Sequence, residues 1–84
     1  MKYIYFSAPW CGPCKMLAPK MELVANSVLV EKINVDENLE IATQYGIRNV
    51  PTVILLSDDN VEIERFVGAK DTNFYLDKIK EYEK

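Results

Sequence analysis

The sequence predicts an α/β fold, with a four-stranded mixed sheet flanked by three helices in the order β-α-β-α-β-β-α. Three observations lead there. Short apolar runs rich in β-branched and aromatic residues alternate with stretches of helical periodicity. The helical crossovers between the first three strands predict that those strands run parallel, with right-handed connections. Only the turn Ser57-Asp58-Asp59-Asn60 separates the last two strands, so the fourth joins antiparallel as a hairpin. With 84 residues, 49% of them apolar, residues 1–84 suffice for one small domain with a thin core, and disorder is excluded.

Each element has its own signal. Lys2 to Phe6 is a short aromatic and β-branched strand. Ser7 to Cys11 is a loop. From Cys11 to Ser27 the pattern turns helical, with Leu17, Met21, Val24, Ala25 and Val28 on one face. Pro19 lies inside that helix and is expected to kink it, because it donates no N–H and its ring crowds the preceding turn. Val28 to Val35 is a second strand. Asp36 or Asn38 can cap a short helix ending at Tyr45, with Gly46 as its stop. Thr52 to Leu56 is an uninterrupted apolar run suited to a central strand. Val61 to Val67 alternates as a strand with one face partly wet, and Gly68 ends it. Asp71 is placed to cap a last helix running to Tyr82, with Tyr75, Leu76, Ile79 and Tyr82 as its apolar stripe.

Charge and composition remove whole classes of function. Ten basic against thirteen acidic side chains give a net charge of −3, which is not the footprint of a nucleic-acid binder. No apolar stretch approaches the ~20 residues of a membrane span. The start, Met1 to Phe6, lacks the length and small-residue site of a signal peptide, so a cytoplasmic location is expected. There is no histidine, which excludes an imidazole base or an imidazole metal ligand. The acidic group Asp58, Asp59, Glu62 and Glu64 suits a solvated turn and strand edge better than a metal site.

The two cysteines, Cys11 and Cys14, carry the chemical information. A bridge between residues so close in sequence constrains almost none of the unfolded chain, so stability is a poor explanation for it. Two sulfurs without histidine also fall short of the four ligands of a closed zinc site, and no metal is expected. Their setting, Trp10-Cys11-Gly12-Pro13-Cys14-Lys15, lies where a strand gives way to a helix. The helix N-terminus presents unpaired N–H groups and partial positive charge, which favour a thiolate at Cys11 and should bring it below the ordinary thiol value of about 8.5. Cys11, ahead of the helix, is expected to face solvent, while Cys14, one turn in, points toward the protein. Pro13 stiffens the first turn at no cost in hydrogen bonds. Such a pair suits thiol–disulfide exchange, with Cys11 attacking and Cys14 resolving the mixed disulfide. Lys15 and Lys2 are placed as solvated surface charges, with electrostatic help to the thiolate as the alternative.

The segment Trp10 to Lys15 resembles the active-site motif of the thioredoxin family. Other segments extend the likeness in the same order: Met16 to Pro19, Lys32-Ile33-Asn34-Val35-Asp36, Tyr45 to Thr52, and Val67-Gly68-Ala69. The resemblance implies a thioredoxin fold and a protein-disulfide reductase. It implies a cis Val50–Pro51 bond facing the cysteines, with the Val50 backbone open to an extended substrate. It also implies a landing surface framed by Trp10, Gly68 and Ala69. The redox-active disulfide Cys11–Cys14 would be the redox centre, with no bound cofactor. Partners would be disulfide-containing proteins and an NADPH-dependent flavin thioredoxin reductase, with the chain itself a monomer. A glutaredoxin-like enzyme using glutathione and a redox-independent binding subunit are the alternatives.

Two departures stand out. The strand leading to the cysteines starts at Lys2, so a fold lacking the family's usual N-terminal βα unit is expected. The position six residues before Cys11, where thioredoxins usually carry a buried aspartate, is Tyr5, although the family's partner lysine is matched by Lys32. A phenol near pKa 10 is a poor base at neutral pH. Resolution by Cys14 is therefore expected to be slower, or more pH-dependent, than in typical members.

Overall fold

The two strands that the sequence makes apolar without interruption take the middle of the sheet, because both of their faces are covered. In the computed structural model, which describes residues 1–83, these are β1 (Lys2–Ser7) and β3 (Thr52–Leu56). The edges are β2 (Leu29–Asn34) and β4 (Glu62–Val67), which are far more exposed, and the order across the sheet is β2-β1-β3-β4. Three helices complete the fold: α1 (Gly12–Val24), α2 (Leu39–Gln44) and α3 (Thr72–Glu83).

Strand parity divides the core in two. On one face, Tyr3 and Tyr5 of β1 with Val53 and Leu55 of β3 pack under Leu17, Met21 and Val24 of α1 and Tyr75 and Ile79 of α3. On the other, Ile4, Phe6, Ile33, Ile54 and Leu56 pack against Ile41, Tyr45 and Ile47, from α2 and the turn that follows it. Within α1 the buried positions Cys14, Leu17, Met21 and Val24 form a single stripe, and the helix continues through the exposed Pro19. Ala25, expected on that stripe, lies beyond the helix and is exposed.

One prediction about topology is wrong. β1 and β2 are parallel, with Lys2 opposite Leu29 and Ser7 opposite Asn34, but β3 runs antiparallel to β1, with Phe6 opposite Thr52 and Lys2 opposite Leu56. A helix between two strands does not by itself make a crossover: the chain between Asn34 and Thr52 turns back at the end of the sheet where β2 leaves it, so β3 enters there and runs against β1. The hairpin prediction holds, since β3 and β4 are antiparallel, with a register irregularity at Leu55 and Leu56.

The helix starts differ in detail from the expected caps. Asn38 occupies the N-cap position of α2, but its side chain instead donates to the Asn34 carbonyl at 3.0 Å. The Asp71 carboxylate accepts from Lys20 Nζ at 3.2 Å, tying the start of α3 to α1. Gly46 and Gly68 stop their elements at positive φ, +66° and +89°, where a side chain would be strained.

Candidate functional site

β1, β2 and α1 all bring their site-bearing ends to one end of the sheet, and the cysteine loop sits there. The Cys11 N–H closes a turn onto the Ala8 carbonyl at 3.1 Å. Cys11 is then the N-cap of α1, with extended backbone (φ −88°, ψ 112°). In that position its Sγ accepts from the Cys14 backbone N–H at 3.2 Å, in the way a serine or aspartate would cap. Pro13 lies in the first turn, where no N–H is needed. Cys11 and Cys14 are joined as a disulfide, with Cα atoms 5.2 Å apart.

The expected contrast in exposure between the two cysteines is not found, since each is 4% exposed. Cys11 is covered because the cysteines pack with Ala8 against Val35 and Val50, and because its sulfur is tied back to Cys14. What distinguishes them is their surroundings. Cys11 Sγ receives the N–H at the helix start and lies 3.6 Å from the Val50 carbonyl oxygen. Cys14 belongs to the buried stripe of α1.

The Val50–Pro51 peptide is cis, as the resemblance implied. Among the described residues the Val50 N–H and C=O have no backbone partner, which leaves them available to an extended chain. Pro51 is buried, and its carbonyl accepts from the Gly68 N–H at 2.9 Å. That bond brings Gly68 and the exposed Ala69 beside the proline. Trp10 is 69% exposed, and its indole N–H donates to Asp36 at 3.1 Å. Of the predicted landing residues, Val50 packs against the cysteine pair, Trp10 precedes Cys11 in the loop, and Gly68 and Ala69 lie beside Pro51. A groove of about 380 Å³ on the α2 side, lined by Trp10, Val35, Leu39, Arg48 and Val50, extends this surface.

Tyr5 stands apart from the site. It packs with Leu17 and Met21 rather than with the cysteines. It lines a cavity with Glu22 and Lys32, and Lys32 Nζ lies 6.0 Å from the ring centroid. Burial, and then the charge of Glu22, raises the Tyr5 phenol above its ordinary value, so it stays protonated at neutral pH. Lys32 and Lys15 instead line a second cavity, of about 290 Å³, that reaches Cys14 together with Ser7 and Asn34. Sequence reasoning missed Ser7, although its parity with Tyr5 places both on the α1 side of β1. It also did not single out Asp36, which accepts from the Trp10 indole, or Arg48, which lines the groove, although both lie in segments that carry the family resemblance. No group of three or more histidine, cysteine, aspartate or glutamate residues that could hold a metal occurs among the described residues. Nor is any helix there long and apolar enough to cross a membrane.

Comparison with known proteins points one way. The thioredoxin family model matches residues 2–81. A thioredoxin of Chlamydia caviae is 43% identical over 82 residues, covering 94% of this chain and 79% of that protein. A solved point mutant of the Halobacterium salinarum thioredoxin superposes with a TM-score of 0.89 at 42% identity, covering 98% of this chain and 74% of that one. Thioredoxin 1 of Thermosipho africanus gives a TM-score of 0.86 at 33% identity, covering 98% of this chain and 93% of that one.

Proposed function

Because this chain belongs to the thioredoxin family and is a thiol–disulfide oxidoreductase of that type, we propose that Cys11 is its attacking sulfur and Cys14 its resolving one. The observation that carries this assignment is the direction of one hydrogen bond. The Cys14 N–H points at Cys11 Sγ, at the positive end of α1. A negative charge on Cys11 is stabilised there by a charge-assisted bond and by the helix field together.

The steps balance as follows. The Cys11 thiolate attacks one sulfur of a partner disulfide. A Cys11–partner bond forms, and the partner's other sulfur leaves as a thiolate and takes a proton. Cys14 loses its proton and attacks Cys11 Sγ, forming the Cys11–Cys14 disulfide and expelling the second partner thiolate. Two electrons pass from the dithiol to the partner, so the disulfide of the chain is itself the redox group.

Substrate proteins dock as an extended segment along Val50, between Trp10 and the Gly68-Ala69 turn. Gly12, Pro13 and Lys15 shape the exposed first turn that faces the partner. Residues 1–84 act as one domain and as a monomer in the cytoplasm, recharged by an NADPH-dependent flavin reductase. The thioredoxin relatives support that donor over glutathione, and turnover with each donor alone separates the two.

Trapping tests the assignment of the sulfurs. Cys14→Ser should accumulate a stable mixed disulfide on Cys11 with a disulfide-bonded protein substrate, whereas Cys11→Ser should accumulate none. Equal trapping by both variants would refute it.

A further inference from the structure

Cys14 must lose a proton before it can attack, and Tyr5, at the position where thioredoxins usually carry a carboxylate, does not line the cavity that Cys14 lines. The β1 side chains on the α1 face run Tyr3, Tyr5, Ser7 toward the site. Two strand residues span roughly 6–7 Å, so Ser7 stands that much nearer the cysteine end than Tyr5 does. Tyr5 packs in the core with Leu17, one turn down α1 from Cys14, and lines a different cavity. Ser7 shares a cavity of about 290 Å³ with Cys14.

That cavity is polar where it matters. Ser7 is buried and polar at the end of an otherwise apolar strand. Its register partner Asn34 and the same-face Lys32 on β2 complete the wall. The charged groups facing the cavity are Lys32 from β2 and Lys15 from α1. Among the described residues no carboxylate lines it, since Asp36 is held by the Trp10 indole and Glu22 faces the Tyr5 cavity. The Asn34 Oδ1 already accepts from the Asp36 and Glu37 N–H groups, but the Ser7 hydroxyl, the Asn34 NH2 and the Lys32 ammonium supply the two to four polar partners that an ordered water requires, and the space is ample.

We propose that this cavity is the proton exit for Cys14, and that Ser7 is a positioning residue holding the water that accepts the proton. The inference rests on Cys14 being the resolving sulfur. The proton leaves Cys14 for the cavity water and passes to solvent. The Cys14 thiolate then attacks Cys11 Sγ, and the expelled thiolate takes its electron pair and recovers a proton from solvent. The two lysines favour the thiolate while it exists, in place of a base that would have to be charged beforehand.

Stopped-flow reduction of dithionitrobenzoate by the reduced chain reads the two steps separately, because each releases one coloured thiolate. Ser7→Leu fills the cavity, and the second release at neutral pH should slow about tenfold with its pH midpoint displaced upward, because the Cys14 thiolate loses both water and solvation. The first release should stay within about twofold, since the donors to Cys11 Sγ are untouched. Ser7→Ala keeps the space and should lose only about two- to threefold, the scale of one neutral hydrogen bond. Lys32→Gln, at an exposed position where folding is not at stake, should also raise the midpoint. If neither Ser7→Leu nor Lys32→Gln moves the midpoint, or if Tyr5→Phe moves it instead, the proposal is overturned. Should Ser7→Leu fail to fold, Lys32→Gln alone decides. A second release that persists in Cys14→Ser would instead refute the assignment of the resolving sulfur.

Discussion

Replacing Tyr3 by phenylalanine should weaken the fold at neutral pH and yet flatten its loss of stability in alkali. The Tyr3 ring is fully buried, and its hydroxyl donates to the Tyr75 carbonyl of α3 at 2.6 Å. The Tyr75 hydroxyl in turn accepts from the Lys70 N–H at 3.1 Å, and the two rings meet edge to face with centroids 5.5 Å apart. This chain of contacts joins β1 to α3 and to the residues just after Gly68 and Ala69, so it also steadies the proposed landing surface. Tyr3→Phe keeps the ring contact and deletes one buried donor. The Tyr75 carbonyl still accepts within its helix, so the loss is that of a single hydrogen bond, about 1 kcal/mol. In a domain of this size that lowers Tm by about 4–8 °C.

The alkaline arm follows from linkage. Burial holds the Tyr3 phenol well above its ordinary value of 10.0, with Tyr75, Glu64 and Glu81 adding repulsion against the charged form. The folded-state value is raised, so this contribution is fully present below the unfolded value and disappears as pH rises toward the folded one. Above pH ~10 the unfolded chain releases the proton and the folded chain keeps it, which costs about 1.4 kcal/mol per pH unit for each such tyrosine. Tyr5 and Tyr75 are raised by burial too and act in the same direction. Urea denaturation of the oxidised protein from pH 7 to 11 is the assay. The wild-type and Tyr3→Phe curves should start apart and converge above pH 10. Parallel curves, or no deficit at pH 7, would refute the reasoning.

Two further outcomes follow from packing and backbone. Leu17→Ala removes a fully buried side chain between α1 and the sheet. It should cost about 2–5 kcal/mol, enough to leave a small domain largely unfolded in a thermal melt at physiological temperature. Gly68→Ala places a Cβ in open space but at φ +89°. It should lose only about 1 kcal/mol of stability while raising KM for protein disulfides, because the new methyl group stands on the proposed docking surface. An unchanged KM would remove Gly68 from that surface.

Local chemistry was legible in the sequence, and the meeting of distant segments was not. The cysteine loop and its helix could be read because each rests on neighbours in sequence, an N-cap and a first-turn proline, whereas the cis proline opposite came only through the family resemblance. The direction of β3 is not in the local pattern: a helix between two strands fits a crossover or a return at the same end of the sheet, and packing selects the return. The burial of Cys11 was misjudged for another reason. A position before a helix is open in isolation, and only Val35 and Val50, both brought from elsewhere, cover it. Tyr5 and Ser7 combine the two cases. Their shared parity on β1 was readable, but which of them shares a cavity with Cys14 depends on how far α1 is displaced along the sheet, a packing outcome of Leu17 and Met21 on the aromatic core. A carboxylate at the Tyr5 position and a polar residue two places on are not interchangeable in sequence. They are alternatives in space, since Ser7 lines the cavity that reaches Cys14 and Tyr5 lines another.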